Sequence, residues 1–156
     1  MWIYVDLWEF KLYLMDDEET IAEYPVAIGS DERVTPAGIF FVAEMAINPQ
    51  GYYRDVDGNG NAELGSRCIS LNVLGWDGEH KIARGYAIHG TDRPDLIGTK
   101  HTKGCIRMLN SDIEKLYKNV FCGMKVVVWF SSPHDYINSN NANPMDYRLG
   151  ATPNLP

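Results

Sequence analysis

Short runs in which apolar and polar side chains alternate recur along this chain, and they leave it few ways to fold. Ile3, Val5 and Leu7 alternate with Trp2, Tyr4 and Asp6, and Phe10, Leu12 and Leu14 repeat the pattern a few residues later. A period of two sends successive side chains to opposite faces, the signature of a strand with one face buried. Asp16 to Glu19 is a charged turn leading to a third strand, Thr20 to Ile28, in which Pro25 predicts an edge or a break. Gly38 to Ala43 is a fourth strand, nearly all apolar. Cys68 to Leu74 and Gly85 to His89 are two more, and Met124 to Phe130 is continuous enough to be central. One segment has the helical period. Ser111 and Glu114 are spaced as a capping box, and Ile113, Leu116, Tyr117 and Val120 follow at i, i+3, i+4 and i+7. They predict one main helix over about 111–121, with Gly123 as its stop. Many short strands, one helix and long loops make a mostly β domain whose sheet forms a barrel or a sandwich.

Length and charge narrow the classes further. A chain of 156 residues is one domain with a real core. We expect that core in residues 1–130. Residues 131–156, rich in Asn, Pro and Ser, read as a tail that wraps the domain or is loosely ordered. A formal charge of −7 without any basic run argues against a nucleic-acid partner. No apolar stretch approaches the roughly 20 residues of a membrane-spanning helix. No basic and apolar leader precedes Trp2, so the sequence reads as a cytoplasmic protein or as a domain parted from its export signal. Three cysteines, Cys68, Cys105 and Cys122, cannot all pair within one chain and lack the spacing of a zinc site. Cys68 and Cys122 read as structural thiols.

The chemistry concentrates between Tyr86 and Met108. His89 ends an apolar run, Gly90 and Thr91 follow it, and after a polar loop come Thr102, Lys103, Gly104, Cys105, Ile106, Arg107 and Met108. A thiol needs a base to ionise near neutral pH, and an imidazole is the usual one. Cys105 and His89 are therefore the candidate nucleophile and base of an acyl transfer. His101 is the rival base, but it stands in a loop rather than at a strand end. His80 and His134 read as surface residues. The backbone amide of Cys105, together with that of Gly104, is the candidate oxyanion site. Thr102 would brace the turn before the nucleophile, and Arg107 would hold a substrate carboxylate or support the loop. A second motif, Asp55-x-Asp57-x-Asn59-Gly60, opens like a calcium loop with Glu63 at its ninth position. Its twelfth position is Ser66 instead of the bidentate glutamate. The long polar stretch from Asn48 to Ser66 reads better as a lid, with Tyr52, Tyr53 and Arg54 as substrate contacts.

These residues resemble a known family. The His-Gly-Thr run, the loop and the Thr-x-Gly-Cys-Ile-Arg-Met run resemble the signature of the L,D-transpeptidase catalytic domain (YkuD-like). Thr35-Pro36-Ala37-Gly38-Ile39-Phe40 is similar to that family's Thr-Pro-x-Gly-x-Phe stretch. Lys103 is a departure, because many members carry histidine there. The resemblance implies a β-sandwich or barrel-like fold with a helix beside it, and the Gly90 carbonyl as the group that orients the imidazole. It groups Thr102, Lys103, Gly104 and Arg107 as oxyanion or substrate-binding positions. It implies that no cofactor or metal is needed and that the location is the cell envelope or periplasm. The implied partner is the tetrapeptide stem of peptidoglycan, with a role in cell-wall biogenesis and cell shape. The implied reaction is 3→3 cross-linking through a Cys105 thioester with release of D-alanine, and carbapenems are the expected inhibitors. Water as acceptor would make the same site an L,D-carboxypeptidase, and a non-catalytic wall-binding module is the reading from another class.

Overall fold

The structure, a computed structural model, describes residues 1–49, 62–74 and 81–140. The calcium-like motif, Tyr52, Tyr53, Arg54, His80 and the chain from 141 onward lie outside the described residues. The strands in chain order are β1 (Trp2–Asp6), β2 (Lys11–Asp16), β3 (Glu19–Gly29), β4 (Gly38–Ile47), β5 (Arg67–Leu74), β6 (Lys81–His89), β7 (Lys100–Thr102), β8 (Ile106–Met108) and β9 (Lys125–Trp129). Helix α1 (Asn110–Tyr117) lies between β8 and β9, and α2 (Pro133–Asn140) follows β9.

Neighbouring strands run β2-β1-β9-β4-β5-β6-β8-β3, and β3 pairs back onto β2. Eight strands thus close into a barrel, and β7 adds to the end of β3. Closure removes the open edges that a flat sheet of this length would expose. The chain is mostly β, as the alternation predicts. Pro25 sits at the point where β3 changes partners: it is the last residue matched to β2, opposite Lys11, and Val26 is matched to Met108 of β8. The residue without an N–H thus falls at the switch, where a ladder bond is interrupted in any case.

The barrel interior is filled from every strand of the closed sheet. Ile3, Val5, Leu12, Leu14, Val26, Phe40, Ile69, Ile88, Ile106, Met108, Val126 and Val128 form one apolar cluster that also takes in Ile113 and Leu116 of α1. The helix therefore seals one end of the core.

The structure corrects three details. α1 starts at Asn110 and ends at Tyr117, short of residue 121. Its N-cap is Leu109, without a side-chain cap, so Ser111 and Glu114 lie inside the helix and form no capping box at its start. Val120 is buried all the same, from a turn in which its amide donates to the Tyr117 carbonyl. Apolar spacing reports which side chains are buried, and the helical ladder stopped before the burial did. Third, 133–140 is helical where the sequence shows no clear period. Its Tyr136 packs with Tyr4, Met15 and Val127 in a second cluster on the outside of β1 and β9. The Tyr4 hydroxyl in that cluster donates to the Ser131 carbonyl at 2.8 Å.

Candidate active site

Three adjacent strands, β5, β6 and β8, build the site. Ile69 and Leu71, Ile88, and Ile106 and Met108 point into the barrel. The alternate residues Cys68 and Ser70, Ala87 and His89, and Cys105 and Arg107 therefore share the outer face. Register aligns them in rows: Cys68 is matched to His89, and His89 to Arg107. Continuing the β6–β8 register back by one residue sets Cys105 beside Ala87, and a backbone hydrogen bond from Ala87 reaches the Cys105 thiol. Cys105 is thus one strand over and two residues back from His89 on the same face. In regular sheet geometry that is roughly 8 Å between Cα atoms, within mutual reach of the two side chains. The parallel β6–β8 pairing requires a crossover. The loop from Thr91 to Gly104 supplies it by running along β3, where Gly98 and Thr99 bond to Val26 and Ile28 and β7 forms.

His89 is buried, with 2% of its surface exposed. Its Nδ1 lies 2.6 Å from the Gly90 carbonyl oxygen. A carbonyl only accepts, so Nδ1 carries the proton and donates, leaving the Nε2 lone pair free. Burial pulls the imidazole down to about 4; the Arg107 cation adds to the shift and the Gly90 bond opposes it. The ring is therefore neutral at pH 7 and able to take a proton. Burial raises the Cys105 thiol above its ordinary value, against the pull of the Ala87 bond and of Arg107. The resting pair is a thiol and a neutral imidazole rather than a preformed ion pair. Cys68 is pushed up to about 11, chiefly by burial and further by Cys105 nearby, and stays protonated at neutral pH.

The turn before Cys105 is braced from inside. Thr102, 1% exposed, donates through Oγ1 to the Cys105 carbonyl at 2.5 Å and accepts the Gly104 N–H at 3.1 Å. The Gly104 amide, expected to be an oxyanion donor, is thus engaged by Thr102. Gly104 itself has φ +119, and a Cβ there would meet the Tyr86 ring at 2.7 Å, so both backbone and space require glycine. The Thr-Pro-x-Gly stretch supports the same corner. Thr35 Oγ1 accepts the Gly29 amide at 2.8 Å, folding the 30–35 loop so that the Arg33 carbonyl comes near Gly104. Arg107 Nε is buried without a hydrogen-bond partner. Lys103 and His101 are exposed, and His101 sits on β7, on the far side of β3 from β8.

Asn110 is the residue that sequence reasoning missed. Its side chain bonds to Thr91 and Ser66, on the two segments that flank the His89 corner. The one signal in the sequence was an asparagine at the junction of strand and helix, a place where it usually caps a helix.

Known proteins resemble this chain in sequence and in fold. Residues 1–128 match the model of the YkuD family, described as the L,D-transpeptidase catalytic domain. YqjB of Bacillus subtilis, assigned to the L,D-transpeptidases, is 35% identical over 121 residues, 76% of this chain. The match spans 65% of that relative's length. The catalytic domain of the Enterococcus faecium L,D-transpeptidase has the same fold, with a TM-score of 0.63 at 23% identity over 82% of this chain and 95% of that one. The same domain acylated by ertapenem superposes with a TM-score of 0.60 at 24% identity, again over 82% of this chain and 95% of that one.

Proposed function

The chain belongs to the L,D-transpeptidase catalytic domain family, and from that premise we propose that it is a cysteine acyltransferase acting on peptidoglycan stem peptides. The observation that carries the reading is the tautomer lock. The Gly90 carbonyl holds Nδ1–H, so the free Nε2 lone pair is the only basic atom of a buried imidazole on the face that Cys105 occupies.

The steps follow from the charges. As the Cys105 sulfur attacks the carbonyl after the third residue of a tetrapeptide stem, its proton passes to His89 Nε2. The Cys105 amide meets the oxyanion, and one such donor is typically worth about 3 kcal/mol. Collapse of the tetrahedral species breaks the C–N bond, and the imidazolium returns its proton to the departing D-alanine amine. That leaves a thioester and a neutral ring. The side-chain amine of a neighbouring stem then attacks the thioester, again deprotonated by His89, to give the 3→3 link and restore the thiol. Arg107, with an unpartnered buried Nε beside the pair, supplies positive charge for a stem carboxylate and for the developing thiolate. In this scheme Thr102 and Gly104 shape the nucleophile turn.

The test has two parts. A carbapenem incubated with the protein is expected to add its mass once, and Cys105→Ala to abolish the adduct; an adduct that persists in Cys105→Ala overturns the assignment of the nucleophile. Fed a disaccharide-tetrapeptide, the enzyme is expected to yield 3→3 dimer, whereas tripeptide alone would make water the acceptor. Sacculus binding without either product would leave a wall-binding module.

A further inference from the structure

An asparagine at the first position of a helix normally turns back to its own helix or faces water. Asn110 is exposed at the surface, yet its carboxamide is engaged by two other segments of the chain. Its Oδ1 accepts the Thr91 amide at 3.0 Å and the Ser66 amide at 3.2 Å, while its Nδ2 donates to the Thr91 carbonyl at 3.0 Å. The carboxamide thus satisfies both backbone groups of Thr91, as a neighbouring strand would, and ties the turn before β5 to the same point. The packing around it is tight. A Cβ on Gly65 would fall 2.1 Å from Asn110 Oδ1, and a Cβ on Gly90 would fall 2.0 Å from it. Gly65 also has φ +63. Gly65, Gly90 and Asn110 are therefore one fitted set: at Gly90 the carboxamide takes the space a side chain would need, and at Gly65 the backbone of Gly90 and Thr91 takes it as well.

The consequence runs through Gly90. Its carbonyl is the acceptor that fixes the His89 tautomer, and the Gly90 amide is held by the Arg67 carbonyl at 3.1 Å. Asn110 anchors the next residue, and hence the peptide plane that carries that carbonyl. Because Asn110 stands two residues past the end of β8, the strand that begins beside Cys105 also leads into the clamp on the base. We infer that Asn110 is a positioning residue for His89: it aims the Gly90 carbonyl, and the carbonyl aims the imidazole. The inference rests on the acyl-transfer role assigned to His89 above.

The experiment compares wild type with Asn110→Ala and with the isosteric Asn110→Asp, which keeps the acceptor oxygens and loses the donor to Thr91. The first readout is the His89 ring by NMR. In wild type the Nδ1 proton is expected to be hydrogen-bonded and slow to exchange. In Asn110→Ala it is expected to exchange faster and the ring to populate the second tautomer, with Asn110→Asp between the two. The second readout is carbapenem acylation. A loss of about ten- to a hundredfold is expected in the first-order acylation step for Asn110→Ala, with noncovalent affinity nearly unchanged. A His89 ring unaltered in both folded variants overturns the inference, even where their stability falls. Should wild type fail to acylate at all, the acyl-transfer reading fails, while the NMR comparison still decides whether Asn110 holds the ring. Should Asn110→Ala not fold, Asn110→Asp carries both readouts. In a second arm, Gly90→Ala is expected to damage the site more in the presence of Asn110 than in the double variant with Asn110→Ala; equal damage in both counts against the fitted set.

Discussion

At the scale of single residues, the site is governed by one cation and two groups that burial keeps neutral. Arg107 is matched to His89 across β6 and β8 and lies two residues beyond Cys105. It lowers the affinity of both groups for protons, and burial outweighs it only at the thiol. Arg107→Gln is therefore expected to move both upward: His89 rises from about 4, and Cys105 rises further above the ordinary thiol range. Iodoacetamide alkylation of Cys105 followed against pH checks this. The wild-type rate should still be climbing above pH ~8.5, the usual thiol midpoint, and the variant's profile should lie further to alkaline pH. An unchanged profile would mean that Arg107 acts on substrate alone. The candidate Cys/His pair and its glycines were readable in the sequence as residue types that the proposed acyl transfer would need. The engagement of the Gly104 amide by Thr102 was not, since it depends on which way one hydroxyl turns inside a buried loop.

At the scale of elements, register does what no single residue can. A one-residue slip between β6 and β8 would send Cys105 to the core face and Ile106 to solvent, so the apolar pattern of β8 fixes the side on which Cys105 stands. Helix α1 holds that strand's far end. Ile113 and Leu116 are fully buried in the barrel cluster, one turn and two turns after Asn110. Leu116→Ala is expected to cost about 2–5 kcal/mol, seen as a lower urea midpoint at unchanged slope. If the helix also anchors the clamp, the loss of acylation rate should exceed what the fraction unfolded explains. The helix was visible as a period, yet its start was misplaced by the apparent capping box. A Ser-x-x-Glu spacing occurs as readily one turn inside a helix as at its end, and only the backbone hydrogen bonds distinguish the two. Helix α2 gave no periodic signal, because the residues that bury it, Tyr4 and Val127, come from β1 and β9.

At the scale of the whole molecule, the buried imidazole is part of what folding must stabilise. His89 binds its proton at about 4 in the folded chain against an ordinary 6.5, so the unfolded chain takes up the proton first as pH falls. This contribution to stability is complete above pH ~6.5 and is lost as pH drops toward 4. At ~1.36 kcal/mol per unit it amounts to about 3 kcal/mol over that window. Urea midpoints measured from pH 7 to pH 4 are expected to fall by that order, and His89→Gln to flatten the fall; an equally steep fall in the variant would assign it to carboxylates instead. The sequence alone determined that the chain forms half-buried strands, where its chief helix lies, and which thiol and imidazole are the candidates for the proposed chemistry, because alternation and residue type are local properties. Tertiary structure decided that the sheet closes by returning β3 to β2, that β6 and β8 lie parallel with Cys105 beside Ala87, and that Asn110, beyond β8, bonds to Thr91 and Ser66 at the corner after His89. Those outcomes depend on contacts between segments far apart in the chain, and no local pattern records them.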